Sequence, residues 1–199
     1  FMQAGEEMLR TKPLEDGSFD HNSYRSPDSV NSLKWGDLNQ EAYQQVRDYY
    51  TGLIAFRKAH PALRMTTAEA VEANITQLRG LESGVLGFQF APNANGENND
   101  GMFVVFNGRS KETTVDLPEG EWTVYVQGDK AGTEALGKAS GSVTVDAVSA
   151  TILVLEKTVE QPPVEKGNDT LWLLVGIAAG LALVVGATAA ILLIRKRKK

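Results

Sequence analysis

Leu171 to Ile194 is a run of 24 residues without one charged side chain. As a helix at about 1.5 Å per residue it would reach ~36 Å. That crosses a hydrocarbon core of roughly 30 Å with some tilt. Helices of soluble proteins are seldom apolar on every face, and a segment in lipid must satisfy its own backbone hydrogen bonds, so one transmembrane helix is expected over 171–194. Arg195, Lys196, Arg197, Lys198 and Lys199 follow at once. Positive flanks stay on the cytoplasmic side, which makes 195–199 a basic cytoplasmic tail and sets everything before Leu171 outside. Membrane lipid is the partner this implies. Gly176 and Gly180 form one GxxxG, read as the ordinary small-residue content of such a helix.

Setting aside the five basic residues of the tail leaves 15 Lys and Arg against 25 Asp and Glu, a net charge of −10 for residues 1 to 194. A strongly acidic exterior repels phosphate polymers, which excludes nucleic acid as a partner. There is no cysteine, whereas small secreted domains of animals commonly depend on disulfides. Together with the apolar run, this points to a bacterial cell surface, the chain being held in the plasma membrane by a single pass. The chain opens at Phe1 within an apolar segment, and no export signal precedes it. Since an exported N-terminal part needs such a signal, the chain is expected to be a C-terminal portion of a longer protein.

Residues 158 to 170, TVEQPPVEKGNDT, hold two prolines, several charges and no aromatic residue. They cannot build a core and read as a stalk. Between Leu78 and Lys157, runs rich in β-branched and aromatic residues alternate with Gly, Asn and Pro. These runs are Val85–Ala91, Met102–Asn107, Thr113–Leu117, Trp122–Gln127, Ser142–Asp146 and Thr151–Glu156. Short strands at such spacing, with turn signals between them, predict an antiparallel sandwich over 66–157. Ahead of it, Tyr43, Val46, Tyr50, Leu53, Ile54 and Arg57 recur at intervals of three and four and predict a long helix. Asp37 or Asn39 is expected to cap it, and His60-Pro61 to stop it. A second short helix, capped by Thr66 or Thr67, is expected over Ala68–Ala73. Residues 8 to 38 form a long loop rich in Asn, Ser, Asp and Pro, and a loop of that length in a compact domain is usually functional.

Chemistry can sit in few places. Phe1-Met2-Gln3-Ala4-Gly5-Glu6-Glu7 reads as the end of a buried strand turning at a glycine into two carboxylates. Cleavage of a glycosidic bond needs two carboxyl groups about 5–10 Å apart in different protonation states. Neighbours on an extended chain point to opposite sides, so Glu6 and Glu7 cannot make that pair. They are expected to orient loops and neighbouring side chains. Asn22, Ser23, Tyr24, Arg25, Ser26, Pro27, Asp28, Asn31 and Trp35 mix aromatic rings with amide, hydroxyl and carboxylate groups, which suits sugar recognition. Trp35 packed beneath the loop, with Asp28 capping a short turn, explains the same residues equally well. His21 and His60 are the only histidines and share no metal-ligand spacing, so no metal site is expected. His60, beside Pro61, reads as a helix-end residue. No cysteine nucleophile, Gly-x-Ser-x-Gly or glycine-rich phosphate loop occurs. Pro92 to Gly101 lacks the alternating carboxylates of a calcium loop and reads as a hairpin loop.

Three strings, FMQAGEEMLRTK, NSYRSPDSVNSLKW and YYTGLIAFRKAHPALRM, closely resemble the end of the catalytic barrel of type I pullulanases, debranching enzymes of the α-amylase superfamily of glycoside hydrolases. The resemblance implies an α+β fragment. Residues 1 to 7 would close the eighth strand of a (β/α)₈ barrel, 8 to 38 form its eighth loop on the active-site face, and 40 to 59 its last helix. Residues 1–65 would thus end the barrel, 66–157 form the C-terminal all-β sandwich, and one transmembrane helix follow. The activity implied is retaining hydrolysis of α-1,6 branch bonds in pullulan, amylopectin, glycogen and limit dextrins by an Asp nucleophile, a Glu acid/base and a stabilising Asp. In that family all three lie on strands upstream of Phe1, so no catalytic residue is expected here, and the chain alone should be inactive.

What the resemblance carries over is the eighth-loop string. Asn22, Tyr24, Asp28 and Asn31 would face the glucan. Arg25 and Trp35 would support them, and Glu6 and Glu7 would hold the site without touching the bond. No cofactor is implied, and calcium in the longer enzyme is left open. Many surface pullulanases carry Leu-Pro-x-Thr-Gly before the anchor; PPVEKGNDT stands here instead, which favours membrane anchoring over wall linkage. The expectation is therefore the C-terminal part of a surface-anchored pullulanase. The alternative is a membrane-tethered, non-catalytic glucan-binding or adhesion module.

Overall fold

Apolar residues run together in the middle of some strands and alternate in others, and the layers of the fold explain the difference. The computed structural model describes residues 1 to 157. Nine strands form: β1 (Ile75–Gln77), β2 (Val85–Phe90), β3 (Asn99–Asn107), β4 (Thr113–Asp116), β5 (Trp122–Gln127), β6 (Lys130–Ala131), β7 (Gly137–Ala139), β8 (Ser142–Val145) and β9 (Ser149–Glu156). The larger sheet runs β1-β2-β3-β9-β5-β6, with β7 also paired to β5, and a second sheet pairs β4 with β8. Every pairing is antiparallel.

The central strand β3 is covered on both faces. Phe103 and Val105 pack with Val115, Trp122, Val143, Val145 and Leu153 beneath the β4–β8 sheet. Met102 and Val104 pack the opposite way, with Phe56, Ala62, Phe90, Ala94 and Val154. Two-sided burial demands an unbroken apolar run, and Met102-Phe103-Val104-Val105 supplies it. In β4 and β8, by contrast, Thr113, Val115, Val143 and Val145 are buried and their neighbours exposed, the period-two signature of a sheet with one wet face. Trp122 anchors the first core. Its ring meets Phe103 edge-on with centroids 5.7 Å apart, and its Nε1 donates to the Pro118 carbonyl at 3.0 Å.

The six expected strands all form, each within three residues of the expected bounds. The strands not foreseen are β1, β6 and β7, of two or three residues each; segments so short carry no readable period.

Three α-helices precede the sheets: α1 (Asp28–Asn31), α2 (Glu41–Ala59) and α3 (Ala68–Asn74). α3 starts as expected, the Thr67 hydroxyl accepting from the Ala70 N–H at 3.1 Å, an N-cap bond. α2 does not start as expected. Its N-cap is Gln40, with no side-chain cap bond, because Trp35–Asn39 winds into a 3₁₀ turn of its own. α2 ends at His60, where the Arg64 guanidinium reaches back to the carbonyls of Lys58 at 3.1 Å and His60 at 3.2 Å. Cations are favoured at the carbonyl end of a helix. Only Phe56 of α2 is fully buried. Tyr43, Val46, Tyr50 and Leu53 are half-buried and Ile54 is exposed.

Two expectations need correction. The single-pass membrane placement, with its cell-surface localisation and lipid partner, is not supported: among the described residues no helix is long and apolar enough to cross a membrane. α2 has 19 residues but carries Glu41, Arg47, Asp48, Arg57 and Lys58, charges too costly for a bilayer interior. The stalk at 158–170, the apolar run 171–194 and the basic tail lie outside the described residues. Nor is a barrel remnant evident. Phe1 to Gln3 carry no strand, Phe1 is fully exposed, and Glu6–Met8 is a 3₁₀ turn. A strand exists only by pairing, and among the described residues this segment has no neighbour to pair with.

Candidate functional site

The segment from Gly5 to Asn39 is held by polar side chains rather than by a core. Gly5 takes φ 98°, where a Cβ would lie 2.6 Å from the Arg10 side chain and 2.9 Å from Leu33, so no other residue fits this turn. The Gly5 N–H donates to the Glu7 carboxylate at 3.0 Å. Glu7 therefore braces the turn, and Glu6 stays exposed. Met8 is buried. The Arg10 guanidinium donates to the Ala4 carbonyl at 3.1 Å and to the Asn31 carbonyl, tying the Gly-Glu-Glu turn to the loop that begins at Asn22.

That loop is built around two side chains. The Asn31 amide nitrogen donates to the carbonyls of Ser23 at 2.6 Å and Ser26 at 2.9 Å, which fixes the Ser23–Arg25 3₁₀ turn. Asp20 accepts from the Asn22 N–H at 2.8 Å and from the Ser26 hydroxyl. The Ser26 bond, the Asn22 bond and the nearby charges of His21 and Lys12 hold its carboxyl below the usual range. Lys12 Nζ donates to the Ser23 hydroxyl at 2.6 Å, and Ser23 and Val30 are buried beneath the turn.

This frame presents Asn22, Tyr24, Arg25 and Asp28 outward, all exposed. Tyr24 is 82% exposed, an aromatic residue open to a sugar. Asn31 differs from its expected companions, because both its amide bonds go to the loop's own backbone and leave only its oxygen free. Trp35 is 64% exposed and does not pack beneath the loop. Asp28 opens α1 without a side-chain cap bond; the Ser32 N–H goes to its carbonyl at 2.8 Å. Among the described residues no group of three His, Cys, Asp or Glu could hold a metal ion.

One polar centre was missed in the sequence. Glu97 is 8% exposed. Its Oε1 accepts the Ala62 N–H at 3.0 Å, and its Oε2 accepts the Asn99 amide at 3.0 Å and lies 3.2 Å from His60 Nδ1. The hairpin loop 92–101 thereby clamps the end of α2, and His60 is a clamp residue as much as a helix end. The only cue was a single Glu in an Asn- and Gly-rich run. Beside it the rings of Phe56 and His60 stand 4.1 Å apart, and those of Phe56 and Tyr125 stand 5.6 Å apart.

Comparisons with known proteins bear on this geometry. Residues 71–130 match the family described as the pullulanase all-beta domain. A pullulanase of Bacillus subtilis (strain 168) is 36% identical over 75 residues, 38% of this chain and 10% of the relative. The solved pullulanase of Bacillus acidopullulyticus superposes with a TM-score of 0.69 at 38% identity, over 77% of this chain and 18% of that one. A Paenibacillus barengoltzii pullulanase, solved with maltohexaose and alpha-cyclodextrin, gives 0.64 at 30% identity over 77% and 22%. The chain spans about a fifth of the length of these solved relatives. The sandwich is thus an antiparallel β-domain that resembles the all-β domain of pullulanases. Over about 77% of its length the chain resembles a fragment of a type I pullulanase, as the three strings at its start imply.

Proposed function

We propose that this chain is the C-terminal part of a pullulanase that hydrolyses α-1,6-glucosidic branch bonds in pullulan, starch or glycogen with retention of configuration. Residues 1–65 join the end of a barrel whose pairing strands belong to the longer protein, and 66–157 form its sandwich. The catalytic Asp, Glu and Asp belong to the preceding part of the longer protein. The Asn22–Asn31 loop contributes the glucan contacts: Tyr24 stacks on a pyranose ring, and Asn22 and Asp28 bind hydroxyls. Asn31 gives its oxygen to the substrate and its amide nitrogen to the loop. Glu7 braces the turn beside this surface, and Arg25, Trp35 and Glu6 border it as exposed side chains.

The observation that carries the reading is the exposed Tyr24 ring on a turn braced by Asn31 and Asp20. The half-buried apolar stripe of α2 supports it, since a last barrel helix needs such a face to pack on its neighbours. Bound maltohexaose in a relative 30% identical supports an α-glucan ligand.

The test is kinetic. In the longer protein, Tyr24→Ala and Asp28→Ala should each lower kcat/KM on pullulan by about tenfold, the equivalent of ~1.4 kcal/mol of binding. Unchanged kcat/KM in both variants would remove the loop from the substrate site. Absence of an upstream barrel bearing two Asp and one Glu would sink the reading as a whole.

A further inference from the structure

Away from the loop, α2 and the turns beyond β5 enclose a cleft of about 700 Å³, within the ~300–1,000 Å³ usual for small-ligand sites. Helix and turn meet closely at Gly52, where a Cβ would lie only 1.9 Å from the Ala131 carbonyl oxygen. The walls carry Gln45, Asp48 and Tyr49 from the helix and Asp129, Thr133 and Glu134 from the turns. A second hollow of about 290 Å³ adjoins it, and Gln45, Tyr49 and Asp129 line both. The Gln45 amide donates to the Asp129 carboxylate across the divide. Tyr49 is half-buried between the two hollows.

The chemistry of the walls narrows the ligand. Glu41, Asp48, Asp129 and Glu134 outweigh Lys130, the one cation of the lining, so the walls repel anions, and phosphorylated and nucleotide ligands do not fit. Carboxylates, an amide and a hydroxyl match the paired hydroxyls of a neutral polyol, and the Tyr49 ring offers an apolar surface between them. A purely apolar ligand would leave these polar groups without partners.

We propose that this cleft is a second saccharide site, separate from the Asn22–Asn31 loop, that binds a neutral α-glucan oligosaccharide. It spans the two hollows, with Gln45, Tyr49 and Asp129 at its centre. The choice of an α-glucan rests on the proposed function; the choice of a neutral polyol rests on the walls alone.

The test is titration of the complete chain, isotopically labelled, with maltohexaose, read by amide and side-chain NMR shifts, with cellohexaose as the comparison. Shifts should cluster at Gln45, Tyr49 and Asp129 and be much weaker with cellohexaose. Asp129→Asn, which keeps the shape of an exposed side chain, should weaken binding by about fivefold or more, as should Tyr49→Ala. Tyr24→Ala should leave the cleft shifts in place. No shifts at the cleft, or wild-type affinity in a folded Asp129→Asn protein, would overturn the site, and an equal response to cellohexaose would overturn its assignment to α-glucans. Pullulan hydrolysis by the longer protein without cleft shifts would sink this inference alone. Cleft shifts without such hydrolysis would sink the proposed function and leave the site standing.

Discussion

Glu97 shows how much one side chain can organise. Its carboxylate accepts from the Ala62 N–H and the Asn99 amide while being 8% exposed, so removing it orphans two donors that water cannot easily reach. Glu97→Ala should cost about 2–4 kcal/mol, read as a lower midpoint in urea unfolding, while the exposed Tyr24→Ala should stay within about 0.5 kcal/mol of wild type. Tyr125 offers a different signal. Burial, and then the hydrogen bond to Glu156 at 2.7 Å, push its phenol up to about 12. The folded state thus holds this proton more tightly than the unfolded chain. The stabilisation is complete below pH ~10, the unfolded value, and is lost as pH rises through about 12. Urea midpoints should fall across that window, and Tyr125→Phe should flatten the fall. The sequence singles out Asn22, Tyr24, Asp28 and Asn31 because Tyr, Asn and Asp declare their chemistry by residue type. The division of labour among them was not. Asn31 braces the loop, and Glu97 closes a clamp, through contacts 5 to 37 residues away in sequence.

Among the elements, the strands were the most readable. Where one face is wet, as in β4 and β8, side chains alternate, and where both faces are covered, as in β3, the run is continuous; both patterns stand out against Gly and Asn turns. α2 was readable as a helix, but its burial was not. The periodic stripe of Tyr43, Val46, Tyr50 and Leu53 is half-buried, and the single deeply buried residue is Phe56, against the sandwich. Periodicity reports that a face exists, not what covers it. The seam between α2 and β6 depends on Gly52. Gly52→Ala should force the helix off the Ala131 carbonyl and destabilise by about 1–3 kcal/mol, despite the better helix propensity of alanine. A rise in thermal midpoint instead would show that the helix shifts freely at this seam.

For the molecule as a whole, the proposed function assigns the three catalytic carboxyl groups to the preceding part of a longer protein, so the full 199-residue chain should release no reducing sugar from pullulan. Measurable release by the purified chain would place the chemistry here and displace the loop reading. Sequence alone determined the positions of the six main strands and the long helix, and the likeness to pullulanases that the three strings at residues 1–65 carry. These are local matters of period, turn residues and motif. The apolar run 171–194 lies outside the described residues, and among those no helix is long and apolar enough to cross a membrane. Tertiary structure alone decided which faces are covered, that Phe1 to Gln3 carry no strand, that Asn31 and Glu97 serve the backbone, and that α2 and the β5–β7 turns enclose a cleft. Burial and partnership depend on residues far apart in the chain, and no local period records them.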